Sequence, residues 1–397
     1  MIVQQGDRIN PLLERFQRTS LWVGIAGLSA SALIALLGFL LRANVAEQFF
    51  QAYLYAFLFW LGLALGCLML LMLQHLAGGP WGAMIRRPLE AGAMVLPVMG
   101  LLFIPLLFGI GSLYEWSHAD VVAASPVLQA KTAYLNVPFF IIRALIYFSV
   151  WIGAALWFFK GSQKQDAGDQ AITQTLRNRS APGIILYIIT MTFAAFDWGM
   201  SLDPEWFSGM YGVIFMIGQV ISAVAFIIIF MVLMGEHKPL TEALNAKRLQ
   251  DLGNLLMAFT MFWAYVSISQ FIIIWSGNLP ETNTWYVLRL NTPWRGLSAF
   301  LMAFHFFAPF VVLFSRWVKQ KGKALIWVAL WMLLMRLVDL FWIMVPSFGR
   351  QGLQLHFLDV ALLIGMGGIW LYVFMLRIRG LPLLPLHDPR LGEVSHG

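Results

Sequence analysis

Apolar residues fall in ten long blocks along the chain, separated by short polar stretches: 21–41, 49–76, 89–112, 135–159, 182–202, 208–235, 252–276, 293–318, 323–345 and 356–377. About 20 apolar residues in helical conformation cross roughly 30 Å of hydrocarbon. Each block therefore predicts one membrane-crossing helix. The expected fold class is all-α, a polytopic membrane protein with about ten transmembrane helices. Trp and Tyr near many block ends fit the two interfacial belts of a bilayer.

Composition supports lipid as the main solvent. Of 397 residues, 60% are hydrophobic and 11% charged, and the mean hydropathy is +0.76. A soluble protein of this size needs a more polar coat. The net charge of +7 would suggest nucleic acid in a soluble chain. Here the basic residues sit in loops between apolar blocks, which points to orientation in the membrane and to no nucleic-acid partner. Alternating the blocks puts nineteen Lys and Arg on the side of the N-terminus, Arg8, Lys238 and Arg390 among them. Only Arg42, Lys131, Arg289 and Arg350 fall on the other side. The bias predicts cytoplasmic N- and C-termini and an even number of spans. The first twenty residues are polar and no small-residue cleavage site follows a short apolar core, so no cleaved signal peptide is expected.

The chain carries a weak internal repeat. Block four opens on Leu135-Asn136-Val137-Pro138 and block eight on Leu290-Asn291-Thr292-Pro293, 155 positions later. Block five ends on Asp197-Trp198 with Pro204 seven residues after the Asp, and block nine has Asp339 and Trp342 with Pro346 seven after its Asp. The organisation expected is an N-terminal arm (1–20), a flanking first helix (21–48), a four-helix bundle (49–207), a second four-helix bundle in the same sense (208–346), and a flanking tenth helix with a tail (347–397).

Ionisable side chains inside spans are costly and face a partner, the bundle interior or a water cavity. The candidates are His75, Arg86 and Glu90 toward the terminal side, His305 near the middle, and Arg143, Asp197, Arg336, Asp339 and Asp359 toward the opposite side. Two readings stay open. Such a ladder suits proton relay. Equally, Arg143–Asp197 and Arg336–Asp339 suit buried pairs that fix helix register, and His305 a hydrogen-bonded core residue. Gln219, Ser267, Ser269 and Gln270 read as interhelical hydrogen-bonding groups.

The lone cysteine, Cys67, excludes an intrachain disulfide, a Cys-ligated iron–sulfur cluster and a CxxCH haem site. His75, His305 and His356 lie at different depths, which argues against a bis-histidine haem. No Walker motif, dinucleotide loop or HExxH occurs. No metal site and no catalytic residue is assigned to the chain itself.

The segment Ala195-Phe196-Asp197-Trp198-Gly199-Met200-Ser201-Leu202-Asp203-Pro204-Glu205-Trp206-Phe207-Ser208-Gly209-Met210-Tyr211-Gly212 resembles the FDWxMSLxPxWFS stretch of the membrane subunits of alternative complex III. That complex is a bacterial quinol oxidoreductase whose large membrane subunits are similar to the polysulfide reductase NrfD-like family. The resemblance covers spans two to nine and implies ten helices in two four-helix bundles, in the bacterial cytoplasmic (inner) membrane. It implies a quinol substrate, menaquinol or ubiquinol, with iron–sulfur clusters and c-type haems carried by partner subunits and no cofactor on this chain. The implied partners are a sister NrfD-like subunit (ActC), an iron–sulfur subunit and multihaem cytochrome c subunits, passing electrons to a cytochrome c or copper protein. The quinol site of such complexes is assigned to the sister. Where its site-lining histidine is expected in span four, this chain has apolar residues around Arg143.

Three functions follow. The first is a scaffold of a quinol-oxidising complex with a proton path through the residues named above, non-catalytic by itself. The second is direct quinol binding, framed by Arg143, Trp198, Asp203 and Trp206. The third is a secondary transporter, which repeats and buried charge also suit.

Overall fold

The computed structural model of the chain describes residues 9–40, 45–237, 240–350, 352, 354–379, 381–385, 387 and 388. Arg8, Arg42, Lys238 and Arg390 of the charge bias lie outside them. Every regular element among the described residues is helical. Among the described residues, ten helices are long and apolar enough to cross a membrane. They are span one (Leu13–Gly38), two (Val45–Ala77), three (Trp81–Phe108), four (Val137–Asp166) and five (Ala171–Leu202), then six (Tyr211–Met234), seven (Ala246–Gly277), eight (Arg295–Phe314), nine (Gly322–Phe348) and ten (Phe357–Arg379).

Each coincides with one apolar block, yet several run further. Span four continues to Asp166 and span five begins at Ala171, eleven residues before its apolar block. Hydropathy reads only the lipid-crossing part of a helix. Its polar extension is held by backbone bonds that leave no hydropathy signal. Span three begins at Trp81 because its first turns carry Arg86, Arg87 and Glu90, which satisfy one another inside the protein. It also breaks. One helix ends at Ala93 and the next starts at Leu96, with Pro97 in its first turn. Proline has no N–H to return to the preceding turn, so the break falls there.

Spans two and six form the axis. Their most apolar windows are each 83% buried, against 17% in span one and 22% in span eight. The backbones approach closely where Gly66 of span two faces span six: a Cβ there would lie 2.1 Å from the Gln219 carbonyl oxygen. Spans three, four and five pack around span two, and spans seven, eight and nine around span six and one another. Spans one and ten pair outside this core. Gly24 and Gly27 meet Gly365 and Gly368, a small-residue seam that lets two backbones touch in a solvent where apolar burial drives little association. Arg379 at the end of span ten donates to Gln17 at 2.6 Å and pairs with Glu14 near the start of span one. Both described ends of the chain thus lie on one face, called the terminal face below; the other is the distal face.

Candidate functional site

The ionisable residues picked out in the sequence separate into a terminal-face cluster and several distal ones. On the terminal face, Arg86 Nε donates to Glu90 Oε1 and Arg87 Nη1 to Glu90 Oε2, both at 2.8 Å. Arg87 also donates to Ser162 and to Asp166, and Arg86 to Gln165 and to Asp388 of the tail. Both guanidinium groups and Glu90 are buried. Two cations and three carboxylates thereby tie spans three and four to the C-terminal segment. His75 stacks on Phe158 of span four, ring centroids 5.7 Å apart.

The distal half of the first bundle is built around Asp197 near the end of span five. Arg143 donates through Nε and Nη2 to its two oxygens, each at 2.8 Å, and Tyr147 adds an O–H bond at 2.7 Å. Arg143 and Tyr147 are four apart, so one face of span four presents both. Arg143 Nη1 reaches the Tyr134 carbonyl at 2.8 Å, and the guanidinium lies 3.8 Å from the Tyr134 ring centre. Trp198 is buried, packed by Phe103, Phe148 and Trp151. The forked, charge-assisted pair inside an aromatic box is the strong form of such contacts.

The second bundle is arranged differently. Asp339 of span nine is held by Arg336, three residues earlier on the same helix, and by Trp263 Nε1 of span seven at 3.2 Å. Arg336 presses against span six, where a Cβ on Gly218 would fall 2.1 Å from its Cζ. It borders a small space shared with Gln219 and Ser222, and Gln219 in turn accepts from Tyr187 at 2.6 Å. His305 is buried in a π-helical turn of span eight (Met302–Phe307), its ring 4.1 Å from that of Trp263. Neither ring nitrogen has a hydrogen-bond partner among the described residues. Beside Asp339 lies a cavity of about 370 Å³ between spans seven, eight and nine. None of Arg143, Trp198, Asp203 and Trp206 lines it.

Terminal-ward of Gln219 and Ser222, span six runs Ala223–Ala225 and Ile227–Met231 with almost every side chain buried, and span two is apolar from Leu68 to Met72. The polar groups leading inward from Asp339 end at Gln219 and Ser222, and an apolar layer lies between them and the Glu90 cluster.

Other distal residues have plain structural work. Asp359 sits in the first turn of span ten, accepts the His356 backbone N–H at 2.9 Å and pairs with Arg350 at 2.8 Å. That is the return half of a capping box, reinforced by a cation. Arg289, unmarked by the spans and fully buried, donates to the carbonyls of Trp342, Ile343 and Trp285. It caps the end of span nine, where unpaired carbonyls and the helix dipole favour a cation. Burial pushes its pKa down to about 9, against the pull of nearby Asp203. Asp203, in the loop after span five, is shifted upward by burial, with Arg289 opposing. Trp206 stacks on Trp285 at 5.1 Å and donates to the Thr282 carbonyl at 3.0 Å, closing the loop over the second bundle.

No protein-family model matches the chain, and no curated protein matches it. What is shown is a multi-pass helical membrane architecture with buried ion pairs. Sequence reasoning named both acids and both arginines of the main pairs. It missed Tyr147, Trp263, Arg289 and Asp166. Tyr147 carried a usable signal, one turn after Arg143; Asp166 lay beyond the apolar block and carried none.

Proposed function

We propose that this chain is a membrane subunit of a quinol-oxidising electron-transfer complex of the alternative complex III type, corresponding to its ActF subunit. In this reading it sits in a bacterial inner membrane with the terminal face toward the cytoplasm, beside an ActC-like sister and iron–sulfur and multihaem subunits. The observation that supports it most is the segment 195–212. The stretch that carries the resemblance also joins the two bundles, with Asp197, Trp198 and Trp206 all buried in the junction. The surplus of Lys and Arg on the terminal side supports the orientation.

The chain's part is scaffold and docking surface, with a proton path starting at Asp339 and passing Arg336, Gln219 and Ser222. That path needs water to bridge the apolar layer before Glu90 and His75. Affinity purification in mild detergent from the native membrane tests the assembly. Haem-containing and iron–sulfur chains are expected to co-purify; a solitary chain stimulated by a small solute would instead establish a transporter. For the path, Asp339→Asn in the reconstituted complex is expected to lower proton translocation per electron. Unchanged translocation would remove it.

A further inference from the structure

The function just described draws on Asp339 but gives no role to the rest of the cavity beside it. Its volume, about 370 Å³, lies in the ~300–1,000 Å³ range of small-molecule sites. The walls are mainly apolar, with Ile214, Leu301 and Trp342 among them. Ile268 and Phe271 of span seven and Met302 of span eight line it and are also more than a third exposed. These side chains belong to membrane-crossing spans, so the mouth there faces acyl chains, while the exposed Arg295 marks the distal end of the cavity. The polar lining residues are few, Asp339, Gln270, Tyr286, Ser267, Ser298 and Arg295 among them. Gln270 donates to the Tyr286 hydroxyl at 3.2 Å and accepts from Ser208 at 2.9 Å, so that corner is already oriented. Asp339 and Ser298 stand on different helices, giving polar groups on two walls.

A ligand that suits this site is lipid-soluble, flat enough to lie among Trp263, Trp285 and Trp342, and bears hydrogen-bonding oxygens. We propose that the second bundle binds the ring of a quinone or quinol, its tail leaving between spans seven and eight. The choice of a quinone among such rings rests on the function proposed above; the cavity, its mouth and its polar lining do not. A bilayer lipid filling the groove is the competing occupant.

The test uses the full chain in lipid nanodiscs and the fluorescent quinone analogue 2-heptyl-4-hydroxyquinoline N-oxide, titrated by fluorescence quenching. A saturable single site is expected. Ala299→Trp, at an exposed position of the lining, should weaken binding at least about tenfold. Tyr286→Phe, which keeps the ring and removes one hydroxyl, should weaken it about fivefold. Tyr147→Phe in the first bundle should leave it unchanged. Absence of saturable binding, or equal affinity in native, Ala299→Trp and Tyr286→Phe proteins, would mean that only bilayer lipid occupies the groove and would overturn the proposal. Binding by a chain that purifies without redox partners would keep the site and discard the complex; co-purification without binding would do the reverse.

Discussion

The two bundles solve one problem, a carboxylate near the distal end of a span, in opposite ways. In the first, Asp197 takes its cation from the neighbouring helix, and Arg143, Tyr147 and Trp198 fill the space around it. In the second, Asp339 takes its cation from its own helix, and a cavity remains. Aligning Leu135-Asn136-Val137-Pro138 with Leu290-Asn291-Thr292-Pro293, 155 positions on, shows the difference in atoms. Arg143 corresponds to Ser298, Tyr147 to Met302 and Tyr134 to Arg289. Arg143 Nη1 donates to the carbonyl nine residues before it, and Ser298 Oγ does the same at 3.1 Å. The acceptor lies nine residues back in both, while the side chain shrinks from guanidinium to hydroxyl and the helix starts later, at Val137 in span four but at Arg295 in span eight. Ser298 and Met302 then become cavity lining. One arrangement is a closed clamp, and the other leaves space for a guest.

The largest effect is expected from opening the clamp. Asp197→Leu strands a buried guanidinium and should cost about 3–5 kcal/mol in unfolding from mixed micelles. Adding Arg143→Met should restore most of the loss. If the double variant is as unstable as the single, the clamp is not the cause. Next, Arg289→Met strips the cap from span nine and should cost about 2 kcal/mol. An unchanged unfolding midpoint would show that the end carbonyls find other partners. Gly218→Ala forces Arg336 away from span six and should cost about 1–3 kcal/mol. It should also weaken the Arg336–Asp339 coupling in a double-mutant cycle. The smallest effect concerns pH. Asp203 is raised in the fold above its ordinary 3.8. Its contribution is therefore fully present below that value and lost as pH rises through the raised one. Asp203→Asn should flatten stability over that window, and an unaltered pH profile would exclude Asp203 as its source.

Helix number and the pairing of Arg143 with Asp197 and Arg336 with Asp339 are readable in sequence because lipid makes every interruption of an apolar block conspicuous. The helix ends at Asp166 and Ala171 are not, since they lie beyond the apolar blocks, where polar residues carry no such signal. Nor is the break before Pro97 in span three. An apolar run looks the same whether its helix is whole or split, and Pro sits in many membrane helices without breaking them. The expected polar ladder rests on depth alone. Depth cannot show that Arg86 and Glu90 belong to a cluster with Asp166 and Asp388, or that Asp359 is committed to capping span ten. The cavity was invisible for a different reason: it is made by what is small, Ser298 and Ala299, and small residues leave no mark on hydropathy.

Those small residues permit the most direct measurement. Ala144 of span four, next to Arg143 in sequence, is buried, and Ala299, 155 positions later, lines the cavity. The same substitution to leucine at each should be compared by unfolding in mixed micelles. Ala144→Leu is expected to overpack and lose about 1–3 kcal/mol, while Ala299→Leu grows into open space and loses nothing measurable. Equal losses at the two positions would contradict the division into a closed and an open bundle.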